Sequence, residues 1–157
     1  MNQEQFQQLI AGLTSEIASM APDAKLADYL NSRHGAGSPL YADIFAACRA
    51  GVAEGWMCKY EGGGIRYGRV IKATDATHGY SVDVVDMENI AGPHHIHPNG
   101  EIDLIMPLTE GAQFDNHPAG WCVYGAGSAH APTVTAGRAL VLYLLPQGAI
   151  EFTKSAR

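Results

Sequence analysis

"GPHHIHPNGEIDLIMP", residues 92–107, sets three histidines and two acids at the head of an apolar run. In an extended chain side chains alternate between two faces, so His95 and His97 point the same way. Glu101 returns to that face if Pro98-Asn99-Gly100 makes a simple turn, and Asp103 follows it. Ile102, Leu104 and Met106 fall on the opposite side, which is apolar enough to need cover from helices or from a second copy of the chain. The stretch therefore predicts a strand with a titratable cluster on one face and a buried seam on the other.

The chain on either side of it has the same grammar. "IRYGRVIK", "YSVDVVDM", "EIDLIMPL", "WCVYGAG", "TVTAG", "ALVLYLLP" and "AIEFT" are rich in β-branched and aromatic residues and are punctuated by Gly, Pro and Asn. No helical period interrupts them, which predicts a mainly β protein with an antiparallel sandwich or barrel. "ALVLYLLP" is apolar on both faces, so it should be covered on both, by the barrel interior and by helices or a second subunit.

Before residue 56 the period changes. Phe6, Leu9, Ile10, Leu13, Ile17 and Met20 recur at three- and four-residue steps, as on an amphipathic helix ending before Pro22. "DAKLADYLNSRHG" fits a second helix closed by Gly35. "GSPLYADIFAACRAGVAEG" fits a third, with Ser38 as its cap, Pro39 in its first position and Tyr41, Ile44, Phe45, Cys48 and Val52 on one face. Residues 1–55 are thus expected as a segment of about three helices packed on a barrel formed by residues 56–157, together one structural unit.

Charge and composition narrow the partners. The 157 residues carry a formal charge of -6 with ten Lys plus Arg and no basic run, which argues against nucleic acid or an anionic membrane and favours a small molecule. No apolar stretch approaches roughly eighteen residues. The start, "MNQEQFQQLI", lacks the features of a secretion signal, so a cytoplasmic location is expected. Cys48, Cys58 and Cys122 are odd in number and far apart, which fits reduced, buried thiols better than a disulfide framework or a thiolate zinc site.

The chemistry concentrates around the opening stretch. "GAGSAH" supplies glycines 125 and 127 for a tight turn and His130 as a fourth group beside His95, His97 and Glu101. Neutral imidazoles with one carboxylate suit borderline divalent ions and leave coordination positions open. A lone His-x-His is more simply two surface histidines, and His94 is read as such a solvated neighbour. "GAGSAH" lacks the βαβ surroundings of a dinucleotide fingerprint, and "EGGGIRYG" lacks the Lys-Ser or Lys-Thr of a phosphate loop.

His95-x-His97-x3-Glu101 followed by Gly127-x2-His130 resembles the two metal-binding motifs of the cupin superfamily, over roughly residues 60–152. The resemblance implies a cupin-like jelly-roll β-barrel holding a divalent metal ion, Fe, Mn, Zn or Ni, on those four residues. The chain departs from the pattern at Gly125, where a proline is usual, and at Gly111, a later glycine than usual. More closely, "GVAEGWMCKYEGGGIRYGRV", "HGYSVDVVDMENIAGPHHIHPNGEIDLIMPL" and "GRALVLYLLPQGAIEF" resemble the 4-hydroxylaminobenzoate lyase family, as does the helical first third. That resemblance implies conversion of 4-hydroxylaminobenzoate to 3,4-dihydroxybenzoate with release of ammonia, in nitrobenzoate degradation. Two other readings fit the same residues: a metal-dependent dioxygenase acting on a small aromatic acid, and a small-molecule-binding protein without catalysis.

A benzoate substrate implies an anchor for its carboxylate. In "IRYGRVIK", Ile65, Tyr67, Arg69 and Ile71 alternate onto one face, which makes Arg69 the candidate clamp, with Tyr67 beside it as a substrate contact and candidate catalytic group. The competing role for Arg69 is a salt bridge to Asp83, Asp86 or Asp103. Asp103 is a candidate general acid or base, or an acceptor orienting a ligand histidine. His117 is either a solvated loop residue or a mobile acid over the site, and Tyr143 either core or part of the substrate wall. The apolar outer seam of "EIDLIMPL" favours a homodimer.

Overall fold

A computed structural model describes residues 1–153; the last four residues of the expected barrel, 154–157, lie outside the described residues. Each helix starts where a side chain can take up the free amide donors of its first turn. Helix α1, Gln3–Ile17, follows Asn2, which accepts from the Gln5 amide while the Gln5 side chain accepts from the Asn2 amide. Helix α2, Ala24–His34, is capped by Asp23. Helix α3, Pro39–Glu54, is capped by Ser38 and stopped by Gly55, whose φ of 87° is left-handed.

Ten strands follow: β1 (Tyr60–Gly62), β2 (Ile65–Ile71), β3 (Tyr80–Ala91), β4 (His95–His97), β5 (Glu101–Pro107), β6 (Gln113–Phe114), β7 (Gly120–Tyr124), β8 (Ser128–His130), β9 (Thr133–Pro146) and β10 (Glu151–Phe152). Every pairing between them is antiparallel. Seven form one sheet in the order β1-β2-β3-β9-β5-β7, with β6 also on β9, and three form a smaller sheet, β10-β4-β8. This is the mainly β, antiparallel architecture expected from the sequence, with three helices in front of it.

Alternation on the two central strands separates two cores. Leu140, Leu142 and Leu144 of β9 pack with Ile102, Leu104 and Met106 of β5 and with helix residues such as Phe6, Ile10 and Leu30. On the other face Val141, Tyr143 and Leu145 pack with Val85, Ile105 and Phe114. Ile102, Leu104 and Met106 are each fully buried, which stabilises the fold by about 1.5–3 kcal/mol per side chain. The helices and neighbouring segments of the same chain bury this seam, so it supplies no reason for a second copy of the chain.

Two strand expectations change. "TVTAG" and "ALVLYLLP" are one strand, because Ala136 and Gly137, with φ of 61° and 131°, absorb a register shift opposite Asn89 without breaking the pairing. In β2 the register shifts between Arg69 and Ile71. Ile65 keeps the expected side, but Val70 and Ile71 are both buried in the helix-side core. Ile71 therefore does not share a face with Arg69. Among the described residues, no helix is long and apolar enough to cross a membrane.

Candidate metal centre

Strand β4 places His95 and His97 on one face with Ile96 between them on the other. Its partner β8 sets His130 directly opposite His95 and Ser128 opposite His97. Pro98-Asn99-Gly100 makes the simple turn that returns Glu101 to the same side, closed by the Gly100 amide donating to the His97 carbonyl at 3.2 Å. Gly100 has a φ of +93°, and a Cβ there would come within 2.7 Å of Pro22 and 2.9 Å of the Tyr124 carbonyl oxygen.

Four residues converge as a result. Glu101 Oε1 lies 3.1 Å from His95 Nε2 and 3.2 Å from His97 Nε2, and Glu101 Oε2 lies 3.3 Å from His130 Nε2. His95 Nε2 and His130 Nε2 are 3.1 Å apart. His95, His97 and Glu101 are almost completely buried, and His130 is nearly so.

The outer nitrogens fix the tautomers. His95 Nδ1 faces the Pro93 carbonyl at 3.2 Å, and a carbonyl can only accept. His130 Nδ1 faces the Asp115 carboxylate at 2.6 Å. His97 Nδ1 faces Ser128 Oγ at 2.9 Å, and that hydroxyl donates to the Gly125 carbonyl, so it accepts from the ring. All three Nδ1 atoms are therefore placed to carry the ring protons, which frees each Nε2 to offer a lone pair to a cation beside Glu101.

Three lone pairs and a carboxylate in a dry pocket require positive charge at their centre. Ligands about 2.1 Å from one ion and at right angles to each other stand about 3 Å apart, which the observed 3.1–3.3 Å contacts match. His97 Nε2 and Glu101 Oε2 are buried without a hydrogen-bond partner, as expected of atoms reserved for a cation. The residues fit a divalent ion. Burial alone would raise the Glu101 pKa, but the imidazoles of His130, His95 and His97 around it outweigh that and hold the carboxylate ionised. Burial, followed by the Glu101 charge, keeps Asp103 protonated well above the ordinary carboxylate range.

The other expected site residues are distributed unequally. Asp103 is fully buried behind Glu101, with neither oxygen in a hydrogen bond. It orients no histidine and does not line the adjoining cavity. His117 is exposed beyond a tight turn and belongs neither to the donor cluster nor to the cavity wall. Arg69 forms the salt bridge that competed with its clamp role, Nε to Asp83 Oδ1 at 2.9 Å and Nη2 to Asp83 Oδ2 at 3.1 Å. Asp86 pairs instead with Arg138. His94, the solvated neighbour, bonds Thr153.

A cavity of about 470 Å³ adjoins the donor cluster at His95 and reaches the Arg69–Asp83 pair. His95 and Tyr143 form its buried end, while Tyr67, 44% exposed, and Phe152, 62% exposed, mark its open side. Ile65, Val85, Met87 and Ile150 make apolar walls, and the Arg69–Asp83 pair also lines it. A cavity of this size and lining suits a small aromatic acid. Phe152 was not anticipated: β10 sets it opposite His95, with the ring centroids 5.6 Å apart.

Asp115 and Tyr124 were also missed. Asp115 Oδ2 accepts from Tyr124 Oη at 2.5 Å as well as from His130, and Oδ1 accepts from the Thr133 amide at 2.9 Å. Strand pairing puts Tyr124 opposite Glu101; alternation along "WCVYGAG" gives only its face, shared with Cys122. Asp115 sits in a turn whose inward reach no local period reveals.

A family model described as PnbB: 4-hydroxylaminobenzoate lyase matches residues 8–152. A 4-hydroxylaminobenzoate lyase from Nocardioides sp. (strain LMS-CY) is 31% identical over 148 residues, covering 88% of this chain and 87% of that protein. One from Pseudomonas putida is 29% identical over 160 residues, 91% of each chain. Among solved structures, the DMSP lyase DddQ from Ruegeria pomeroyi is 20% identical, with 99% of this chain and 100% of that one covered and a TM-score of 0.42.

Proposed function

The chain belongs to the 4-hydroxylaminobenzoate lyase family, and from that premise we propose that it is a divalent-metal-dependent lyase converting 4-hydroxylaminobenzoate to 3,4-dihydroxybenzoate with release of ammonia. The observation that carries the reading is the buried set of three imidazoles and one carboxylate beside an aromatic-lined cavity. The stoichiometry needs no outside oxidant. Substrate plus water equals product plus ammonia, because cleavage of the N–O bond reduces nitrogen by the two electrons that the ring carbon loses.

A divalent ion held by His95, His97, Glu101 and His130 would supply Lewis acidity toward an oxygen ligand. The chain's own groups do the rest. The walls formed by Ile65, Val85, Met87 and Ile150 hold the ring and exclude bulk water, which strengthens the polar contacts inside. Tyr143, which burial keeps protonated, lies beside His95 as a hydrogen-bond donor to the substrate. The Arg69 guanidinium, oriented by Asp83, meets the substrate carboxylate with Tyr67 and Phe152 next to the ring. Asp103 stays behind Glu101 and touches no substrate. In nitrobenzoate degradation, reduction of the nitro group would supply the hydroxylamine.

The test is incubation of purified protein of known metal content with 4-hydroxylaminobenzoate. Ammonia and 3,4-dihydroxybenzoate should appear in equal amounts. Fully loaded protein that yields neither would overturn the reading.

A further inference from the structure

We propose that Asp115 is a positioning residue that locks His130 in its Nδ1-protonated form and thereby sets the affinity of the four-residue site for its divalent ion. The inference rests on the metal-site reading above.

The turn around Asp115 has an unusual construction. Phe114 and His117 exchange backbone hydrogen bonds of 2.9 and 2.8 Å, which closes a two-residue loop on Asp115 and Asn116. Both central residues are left-handed, with φ of 49° and 66°. A side chain in that region costs about 1–2 kcal/mol, and loops of this kind usually take Asn-Gly. Asn116 occupies the position where glycine would relieve the strain.

Asp115 puts that conformation to use. Its carboxylate turns inward and is filled by three donors: Tyr124 Oη at 2.5 Å, His130 Nδ1 at 2.6 Å and the Thr133 amide at 2.9 Å. Of the three histidines, His130 alone has a charged group behind it; His95 has a carbonyl and His97 a hydroxyl. A carboxylate that only accepts forces the proton onto Nδ1 and makes Nε2 a stronger electron-pair donor. Tyr124 shares Oδ2 with His130, and its ring packs on His130 at 4.5 Å and on His97 at 5.3 Å between centroids. The two donors compete for one oxygen. Losing the phenol therefore strengthens the bond to His130, whereas losing the charge weakens it.

That opposition in sign is the test. Co(II) is titrated into the metal-stripped full chain in competition with a chelator, and its visible spectrum reports binding. Asp115→Asn should bind about 10–100-fold more weakly, as loss of such an outer partner does elsewhere. Tyr124→Phe should bind more tightly than the parent. A turn residue that only holds the fold would lower the melting temperature of the metal-stripped form and leave Co(II) affinity unchanged in Asp115→Asn; that result overturns the proposal. Weakening by Tyr124→Phe equal to that by Asp115→Asn also overturns it. If Asp115→Asn yields no folded protein, Tyr124→Phe decides alone: tighter binding than the parent supports the proposal, and unchanged or weaker binding overturns it. A parent chain that binds no Co(II) overturns the metal reading itself, which separates the two failures.

Discussion

The Nε2 atoms of His95 and His130 face each other at 3.1 Å, with the proton of each ring committed to its outer nitrogen. Two lone pairs at that distance repel unless a cation lies between them. Protons and a metal therefore compete for the same place. Burial disfavours the His130 imidazolium, but the Asp115 and Glu101 carboxylates outweigh it and raise its pKa to about 9, so metal affinity should fall as pH drops through that value. Isothermal titration with Zn(II) at several pH values measures this. Affinity that does not change with pH would contradict a site built from neutral histidines.

Removing a ligand should cost more than removing an outer partner. His95→Ala, His97→Ala and Glu101→Gln are expected to lose metal by more than the roughly 100-fold upper range of second-layer substitutions. Ammonia release should fall with metal content. Elemental analysis beside the assay checks both, and full activity in a verified metal-free variant would end the proposed mechanism.

Replacing Arg69 by Met removes the cation at the cavity wall and leaves Asp83 unpaired. A charge-assisted hydrogen bond contributes about 1.5–3 kcal/mol, which corresponds to roughly 10–150-fold in binding. KM should rise by that order while kcat changes little, the pattern of lost substrate binding. An unchanged KM would restrict Arg69 to its salt bridge.

Turnover should proceed equally fast without dioxygen, because the N–O bond supplies the oxidising equivalents. Oxygen-electrode traces during ammonia release are expected to be flat. Stoichiometric oxygen uptake would favour the dioxygenase reading of the same ligand set.

Leu104 is fully buried between β5 and the helices. Leu104→Ala should lower unfolding free energy by about 2–5 kcal/mol. The loss should be independent of protein concentration, because the cover comes from the same chain. Urea titrations at two concentrations decide it, and a concentration-dependent midpoint would indicate a second copy on this face.

Much of this was readable locally. The three-and-four spacing of Phe6, Ile10, Leu13 and Ile17 and the caps at Asp23 and Ser38 specify helices without reference to distant residues. Two-residue alternation put His95, His97 and Glu101 on one face once a short turn was assumed, and the turn is there. Alternation failed at Ile71, because a register shift in β2 reverses faces and no composition marks it. From sequence Arg69 could pair with a substrate carboxylate or with any of Asp83, Asp86 and Asp103, and among the acids only the pairing of β2 with β3 chose Asp83.

The sequence by itself determined element types and the inward face of β5, since both follow from periods that each short segment satisfies alone. Tertiary structure decided that helices cover the outer seam, that Phe152 and Tyr143 meet His95 at one cavity, and that Asp115 and Tyr124 stand behind His130. Those contacts join residues from separate strands. Their meeting depends on which strands pair and in what register, and that is settled by the burial and hydrogen bonding of the whole sheet rather than by any one stretch of it.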